Sequence, residues 1–283
     1  MRHLLLLLPL LTGCGYRGMV KTPFDVTPEA VDIPTDAESL ARGAYLVETV
    51  TRCGDCHSPD LGGGAYIDAF PMGTFAGPNL TPGEGSAVAE YTDADWVRAL
   101  RHGLAPDGRP LVDMPSNAFT LLAADDLGAV IAYLKQAPPV DRLPPETDPG
   151  LVGRMLVRNG SIEVPALSID HSAPIPREAP EGGAERGLYL GDLGGCLGCH
   201  GEDLAGKSLG PSLPLSTNLT PHADGLGGWS EADFVQAMRS GLRPDGSQLD
   251  PLMPWPVTAG LTDGDLSALW AWLQSVPPVA VEE

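Results

Sequence analysis

Two short cysteine–histidine motifs stand out in this chain of 283 residues. Both follow the pattern Cys-x-x-Cys-His, at Cys53–His57 and Cys196–His200. Two thiols three positions apart lie on one helical turn, where each can add to a vinyl group of the same haem. The adjacent histidine is then carried beneath the iron as its proximal ligand. The pattern predicts two covalently bound haem c groups, attached through Cys53, Cys56, Cys196 and Cys199 with His57 and His200 as iron ligands.

The alternatives for these motifs are two redox disulfides or a zinc site. A zinc site would require the two cysteine pairs to converge across about 140 residues. A thioredoxin-type motif does not require a histidine at this position, let alone twice. Both alternatives are therefore weaker than haem attachment.

An internal repeat places one motif in each of two similar modules. Residues 91–108 align with residues 229–246 without a gap. Further matched pairs are Arg42/Arg186, Tyr45/Tyr189, Asn79/Asn218, Met114/Met253, Asp126/Asp265 and Tyr133/Trp272. We expect one module over residues 37–139 and a second over 184–279. The stretch 140–183 is rich in proline without clear periodicity, which predicts a linker.

The repeat also suggests the second axial ligand of each iron. Met114 and Met253 coincide in the alignment, and each lies in a turn-like segment followed by proline. Met72 has no matching methionine, and His102 aligns with Ser240. A thioether favours Fe(II), so His/Met ligation raises the reduction potential and leaves no open site for a substrate. This ligation indicates electron transfer.

Four repeated polar residues are candidates for contacts with the haem propionates. They are Asn79, Asn218, Arg101 and Arg239. A buried propionate needs hydrogen-bond or charge partners, which these side chains could supply. The alternative is that the asparagines stabilise a turn and the arginines are solvated.

Each proximal histidine is expected to donate its other ring N–H to a backbone carbonyl. Gly77-Pro78 and Gly210-Pro211 could supply that carbonyl. His171, in the predicted linker, and His222, in a polar loop, are expected to be surface residues.

The fold is predicted to be mainly α, with no convincing strand. The expected helices are residues 37–50, 92–102 and 124–136 in the first module and 184–193, 230–240 and 262–275 in the second. Thr or Ser at a helix start with acidic residues in the first turn is the usual N-terminal signal. Gly43 and Gly187 are expected to allow close approach of another helix.

The N-terminus resembles a bacterial export signal. The apolar run Leu4–Leu11 is too short to span a bilayer, and Leu11–Cys14 matches the lipobox pattern, in which the cysteine receives lipid. We expect a signal peptide over residues 1–13, lipidation of Cys14 and a flexible tether over 14–36. An ordinary secretory peptide with an incidental cysteine is the alternative. The expected location is the periplasmic face of a bacterial membrane, where the lipid is the only membrane contact.

The order of these features resembles class I cytochrome c. The Asn-Leu-Thr-Pro turns, the Arg-x-Gly-Leu-x-Pro-Asp-Gly segments and the Met-Pro pairs further resemble the multihaem cytochrome c subunits of membrane-bound alcohol, gluconate and aldehyde dehydrogenases. Those subunits commonly carry three haem motifs, whereas this chain has two. The resemblance implies two tandem class I cytochrome c domains with His57/Met114 and His200/Met253 as axial pairs.

The resulting hypothesis is a dihaem c-type cytochrome that carries single electrons in a periplasmic respiratory chain and is not itself an enzyme. Its expected partners are a redox protein donor and acceptor, namely a dehydrogenase, an oxidase or a small cytochrome. It could also be a dedicated subunit of a dehydrogenase. The alternative class is a dihaem enzyme, a peroxidase or thiosulfate-oxidising cytochrome with one openable haem. The net charge of −20 opposes nucleic-acid binding.

Overall fold

The computed structural model of this chain describes residues 23–210 and 213–281 and is mainly helical. The first half contains α1 (Ala37–Tyr45), a π-helical turn over Leu46–Val50, α2 (Gly54–His57), β1 (Gly64–Ala69), β2 (Gly73–Gly77), α3 (Asp93–His102), α4 (Ser116–Phe119) and α5 (Ala124–Lys135). A connecting segment contains β3 (Asp148–Pro149), α6 (Leu151–Arg158) and a 3-10 turn over Pro165–Leu167. The second half contains α7 (Gly183–Leu193), α8 (Cys196–His200), α9 (Glu231–Ser240), α10 (Trp255–Thr258) and α11 (Asp263–Ser275). The expected signal peptide and Cys14 lie outside the described residues.

The first and last helices of each half pack against each other, α1 on α5 and α7 on α11. Both contacts depend on a glycine. A Cβ atom at Gly43 would lie 2.1 Å from the carbonyl oxygen of Ala129, and one at Gly187 would lie 2.0 Å from that of Ala268. The expectation that these glycines admit a neighbouring helix is confirmed.

The middle helix of each half starts with the same hydrogen-bonded cap. Thr92 and Asp95 form a capping box at α3, and Ser230 and Asp233 form one at α9. Each box satisfies two backbone N–H groups that the helix leaves unpaired. Both helices end at a glycine in the left-handed conformation, so the local sequence sets both boundaries.

One apolar core runs through both halves. Leu46 and Val50 of the π-helical turn belong to the same buried cluster as Leu190 and Leu193 of α7. The Arg52 guanidinium donates to the carbonyl of Gly194 at 3.3 Å across this boundary. The two halves therefore share a packed interface.

Two ion pairs lie at this interface, one within each half. Arg42 donates to both carboxylate oxygens of Asp126 at 2.7 and 2.8 Å. Arg186 donates in the same way to Asp265 at 2.9 and 3.3 Å. Such two-point pairing fixes the angle between the first and last helix of each half.

Each of these carboxylates also accepts a hydrogen bond from a tyrosine of the other half. Tyr45 donates to Asp265 at 2.6 Å, and Tyr189 donates to Asp126 at 2.7 Å. The exchange is reciprocal, as in a pseudo-twofold interface. The sequence repeat contains all of these residues, but the reciprocal pairing becomes visible only in three dimensions.

A three-stranded antiparallel sheet is present, in the order β1-β2-β3, which corrects the expectation of no strand. The register between β1 and β2 shifts at a bulge between residues 65 and 67. β3 pairs with β2 through Thr74 with Asp148 and Gly73 with Pro149. Short strands with glycine and a bulge lack the alternation by which strands are recognised in sequence.

The predicted linker over 140–183 packs along the first half. The carbonyl of Val140 accepts a hydrogen bond from Asn79 at 2.8 Å, and the Asp113 N–H donates to the carbonyl of Glu163 at 2.9 Å. Its helix α6 buries only Gly153 and Val157. Two buried positions are too few to give a periodic signal.

The described part of the predicted tether, residues 23–36, also makes hydrogen bonds to the first half. The Phe24 N–H donates to the carbonyl of Gly108 at 2.9 Å, and Arg98 donates to the carbonyl of Val26 at 3.4 Å. Residues 23–36 therefore lie against the first half, while residues 14–22 lie outside the described part.

Within the described residues, no helix combines the length and the apolar character needed to cross a bilayer.

Candidate functional site

The motif Cys53–His57 forms a single helical turn. The carbonyl of Cys53 accepts hydrogen bonds from the N–H groups of Cys56 at 3.3 Å and His57 at 2.9 Å. This turn places both thiols and the imidazole on one short element. Neither cysteine is in a disulfide.

The second motif has the same form in α8. Cys196 and Cys199 are free thiols, and His200 ends the helix. No group of three or more His, Cys, Asp or Glu side chains suited to a metal ion occurs among residues 23–210 and 213–281. This finding gives no support to a zinc site in which the two motifs would converge.

Both histidines are held through Nδ1 by a backbone carbonyl. His57 Nδ1 lies 2.9 Å from the oxygen of Pro78, and His200 Nδ1 lies 2.7 Å from that of Thr217. A carbonyl only accepts, so Nδ1 carries the proton and Nε2 has the free lone pair that an iron ligand needs.

The expected carbonyl at Gly77-Pro78 is confirmed for the first half, whereas Gly210-Pro211 is wrong for the second. Thr217 precedes Asn218 as Pro78 precedes Asn79, so position relative to the asparagine turn decides the partner. The proline itself is not required, because only its carbonyl is used.

Burial keeps these groups uncharged. Desolvation lowers the pKa of His57 and of His200 below 6.5, which favours the neutral imidazole that can bind a metal. Burial also raises the pKa of the Cys196 thiol to about 11. Burial therefore disfavours the thiolate form of Cys196 at neutral pH.

The two predicted methionine ligands lie in the same backbone setting. Met114 precedes Pro115 (φ −76°, ψ 49°), the N-cap of α4, and Met253 precedes Pro254 (φ −78°, ψ 46°), the N-cap of α10. Both methionines are half-buried and pack against the shared core. The matching backbone of the two prolines makes the methionine segments equivalent in the two halves.

Asp113, the residue before Met114, is anchored to the sheet of the first half. Burial, and then the negative charge of Asp113, raises the pKa of Cys56 to about 11. Tyr66 of β1 donates to Asp113 at 3.0 Å and holds the segment in place.

The asparagines expected at the propionates are instead buried within turns. Asn79 donates to the carbonyls of Val140 and Arg142, and its side-chain oxygen accepts from the N–H of Thr81 at 2.9 Å. Asn218 makes the equivalent bonds to the carbonyl of Val279 and the N–H of Thr220, at 2.7 and 2.8 Å. The turn-stabilising alternative describes both residues.

The arginines expected at the propionates also donate hydrogen bonds to other groups of the protein. Arg101 donates to the carbonyls of Thr120, Ala173 and Pro174. It is buried, so the solvated alternative does not describe it either.

Arg239 donates to the carbonyl of Ala259 and, at 2.6 Å, to the carboxylate of Asp263. In both halves this arginine fastens the end of the short helix that follows the methionine.

His171 is not the surface residue that was expected. Its Nδ1 lies 3.1 Å from Nδ1 of His102, its Nε2 lies 3.1 Å from the carbonyl of Ala166, and its ring packs edge-on against Phe24. Only one of two facing Nδ1 atoms can carry the proton in this pair. His222, as expected, is partly exposed and pairs with Asp224 at 3.1 Å.

Comparison with known proteins finds a family match in the second half. The family described as Cytochrome c matches residues 185–277. The chain is 28% identical over 291 residues to the fructose dehydrogenase cytochrome subunit of Gluconobacter japonicus, covering 96% of this chain and 58% of the relative. It is 36% identical over 271 residues to the gluconate 2-dehydrogenase cytochrome c subunit of Pantoea cypripedii, covering 84% and 59%.

A shorter relative matches over most of its own length. The "Diheme cytochrome c-type" protein of Cereibacter sphaeroides is 29% identical over 254 residues, covering 80% of this chain and 82% of the relative. The chain spans less than two thirds of the length of the dehydrogenase subunits. Those relatives are described as cytochrome subunits of dehydrogenases, so the expected resemblance to such subunits is confirmed.

Proposed function

We propose that this protein is a dihaem c-type cytochrome that transfers single electrons. A cytochrome c domain over residues 185–277 supports this, as does homology to the cytochrome c subunits of fructose, alcohol and gluconate dehydrogenases. Its two class I domains are residues 37–139 and 184–279. The observation that carries the proposal is the duplicated site. Each half contains a Cys-x-x-Cys-His turn, a histidine held through Nδ1 and a methionine before a proline that caps a helix.

The residues present fit haem c by their donor chemistry. Free thiols at Cys53 and Cys56 are available for two thioether bonds, and neutral His57 presents Nε2. In the second half Cys196, Cys199 and His200 do the same. A bound haem supplies one-electron redox chemistry at its iron.

The protein's own contribution is to hold the two axial side chains and to exclude water. The carbonyls of Pro78 and Thr217 fix the imidazoles. The proline-capped loops hold Met114 and Met253, and thioether ligation with burial favours the reduced iron. A haem iron held by His57 and Met114, or by His200 and Met253, would have no coordination position left for a substrate.

We further propose that the protein works in the bacterial periplasm, tethered through lipid on Cys14, and exchanges electrons with a dehydrogenase. The lipobox pattern Leu11–Cys14 supports the tether, and the relatives' roles as dehydrogenase subunits support the partner. Metabolic labelling with a radiolabelled fatty acid tests the tether. Label is expected in the wild-type protein and absent from Cys14→Ser.

Haem counting tests the dihaem proposal. The matured protein is expected to carry two haems per chain, by intact mass and by the absorbance of the denatured pyridine complex. The double variants Cys53→Ser/Cys56→Ser and Cys196→Ser/Cys199→Ser are each expected to retain one. A wild-type chain that matures with a single haem would overturn the proposal, whatever the variants do.

A further inference from the structure

The first half carries a cover over its candidate site. Residues 147–164, which we call the cover, add β3 to the edge of β2, where Thr147 exchanges two hydrogen bonds with Ala76 at 3.1 and 3.2 Å. Beneath the cover, Phe75 is fully buried against Val157 and Val164. The cover also reaches the methionine loop, because the N–H of Asp113 donates to the carbonyl of Glu163.

The second half has the same hairpin edge in shorter form. The bridge between Ser208 and Leu215 takes the place of the Ala65–Ala76 pair. Counting back from the equivalent asparagines, Leu215 corresponds to Ala76. Counting back from the methionines, Leu252 corresponds to Asp113.

This equivalent surface is exposed. Leu213, Leu215 and Leu252, which we call the open face, are 48%, 58% and 50% exposed. Leu213 and Leu215 lie two residues apart on the segment that pairs with Ser208, and Leu252 precedes Met253. Exposed leucines on segments that hold a functional site indicate an interaction surface, whereas single exposed leucines need no explanation.

The open face adjoins the groups that hold the second axial pair. Leu215 lies two residues before Thr217, whose carbonyl accepts from His200. Leu252 is the residue before Met253. A protein seated on the open face would therefore approach the second site rather than the first.

The charge around the open face selects the kind of partner. The exposed acids on segments 201–210, 213–217 and 242–253 are Glu202, Asp203, Asp245 and Asp250, against Lys207 and Arg243. The chain as a whole carries a net charge of −20. Exposed leucines on segments with an excess of acids complement a partner whose own apolar patch is ringed by Lys and Arg.

We propose that the open face is the docking surface for a basic electron-transfer protein, so that electrons enter or leave this chain through its second half. The inference rests on the proposed function and adds to it the half of the chain through which electrons pass to and from the partner. The cover fills the corresponding position in the first half, which closes that site to the same partner.

The test uses the matured holoprotein with a small, strongly basic class I cytochrome c as probe. Calorimetry with both proteins oxidised gives the affinity without electron transfer. Leu213→Ser/Leu215→Ser is expected to weaken binding about tenfold. The matched control is Leu151→Ser/Met155→Ser on the outer side of the cover, where the side chains are 83% and 56% exposed. The control is expected to change binding by less than about twofold.

Amide hydrogen exchange locates the contact without relying on variants. Protection by the probe is expected in residues 213–216 and 250–253. Protection confined to the first half, or equal weakening in the control, would overturn the inference. A concentration-dependent dimer of this chain that is lost in Leu213→Ser/Leu215→Ser would do so too, in favour of a second copy as occupant.

The two proposals fail in different ways. If the protein carries two haems and binds the probe elsewhere, the docking inference fails and the proposed function stands. If the haem count is wrong, the proposed function fails before any docking measurement.

Discussion

The two halves of the molecule repeat the same site but surround it differently. The Nδ1 bond of the histidine, the proline cap after the methionine and the buried asparagine turn are the same in both. The difference lies in the cover, which packs on Phe75 in the first half and has no counterpart over Leu213 and Leu215 among the described residues. In a duplicated protein, the contacts that hold the site can thus stay the same while the chain that covers the site differs.

The cover can be broken at its buried centre. Phe75→Ala is expected to lower the free energy of unfolding by about 3–5 kcal/mol, because it removes a fully buried ring from a small cluster. Its counterpart by position is Pro214, which is exposed, so Pro214→Ala should change stability by less than about 0.5 kcal/mol. Guanidinium unfolding of the holoproteins measures both. Equal effects would mean that the halves do not differ in this way.

In the same experiment, removing the arginine of each ion pair should lower the free energy of unfolding by different amounts. The side chains of Arg186 and Asp265 are 8% and 11% exposed, whereas that of Arg42 is 30% exposed. Arg186→Ala leaves a carboxylate buried without its cation and should cost about 3–5 kcal/mol. Arg42→Ala should cost less, roughly 1–2 kcal/mol, because the Arg42 guanidinium is itself partly exposed and water can enter the space that it leaves beside Asp126, whose own side chain is 4% exposed. A larger loss in Arg42→Ala would contradict the burial argument.

The tyrosines, in contrast, should behave alike. Tyr45→Phe and Tyr189→Phe each remove one hydrogen bond to a carboxylate, of 2.6 and 2.7 Å. Each should lower stability by about 1.5–2 kcal/mol while leaving the haem count at two. A clear inequality in thermal or denaturant unfolding would show that the interface is less symmetric than its hydrogen bonds.

Acid should loosen the first half selectively. Burial, and then the positive charges of His171, Arg101 and Arg98, lower the pKa of His102 from 6.5 to about 4. In the unfolded chain His102 binds a proton below about pH 6.5, whereas in the folded chain it stays neutral down to about pH 4. The free energy of unfolding therefore keeps its full value above pH 6.5 and decreases as the pH falls towards 4.

His102→Ser introduces the residue that the second half has at Ser240. The loss of stability between pH 6.5 and 4.5 is expected to shrink by on the order of 1 kcal/mol relative to wild type. Unfolding curves across that range measure the change. An unchanged pH dependence would show that His102 does not titrate in this way.

Much of this architecture was predictable because it depends on residues that are close together in the sequence. The capping boxes, the left-handed glycines and the close-packing Gly43 and Gly187 follow from short-range rules, and the repeat paired Met114 with Met253. The Cys-x-x-Cys-His spacing by itself predicted covalent attachment of haem.

The misassigned residues depend on contacts distant in sequence. Arg101 reaches the carbonyls of Ala173 and Pro174, and His171 reaches His102, through a segment that composition alone marked as a linker. Prolines there shape a docked chain rather than a spacer. The reciprocal tyrosine bonds were hidden for the same reason, because a repeat reveals equivalent residues but not which copy they contact.

The central claim is that both halves present the same closed axial pair, and the optical spectrum of the oxidised holoprotein tests it most directly. Scaled to haem content, the iron–methionine charge-transfer band should have full strength for two haems, and Met114→Ala and Met253→Ala should each remove half of it. A wild-type spectrum with a half-strength band and one high-spin haem would contradict the account. It would point instead to an enzyme with one open iron.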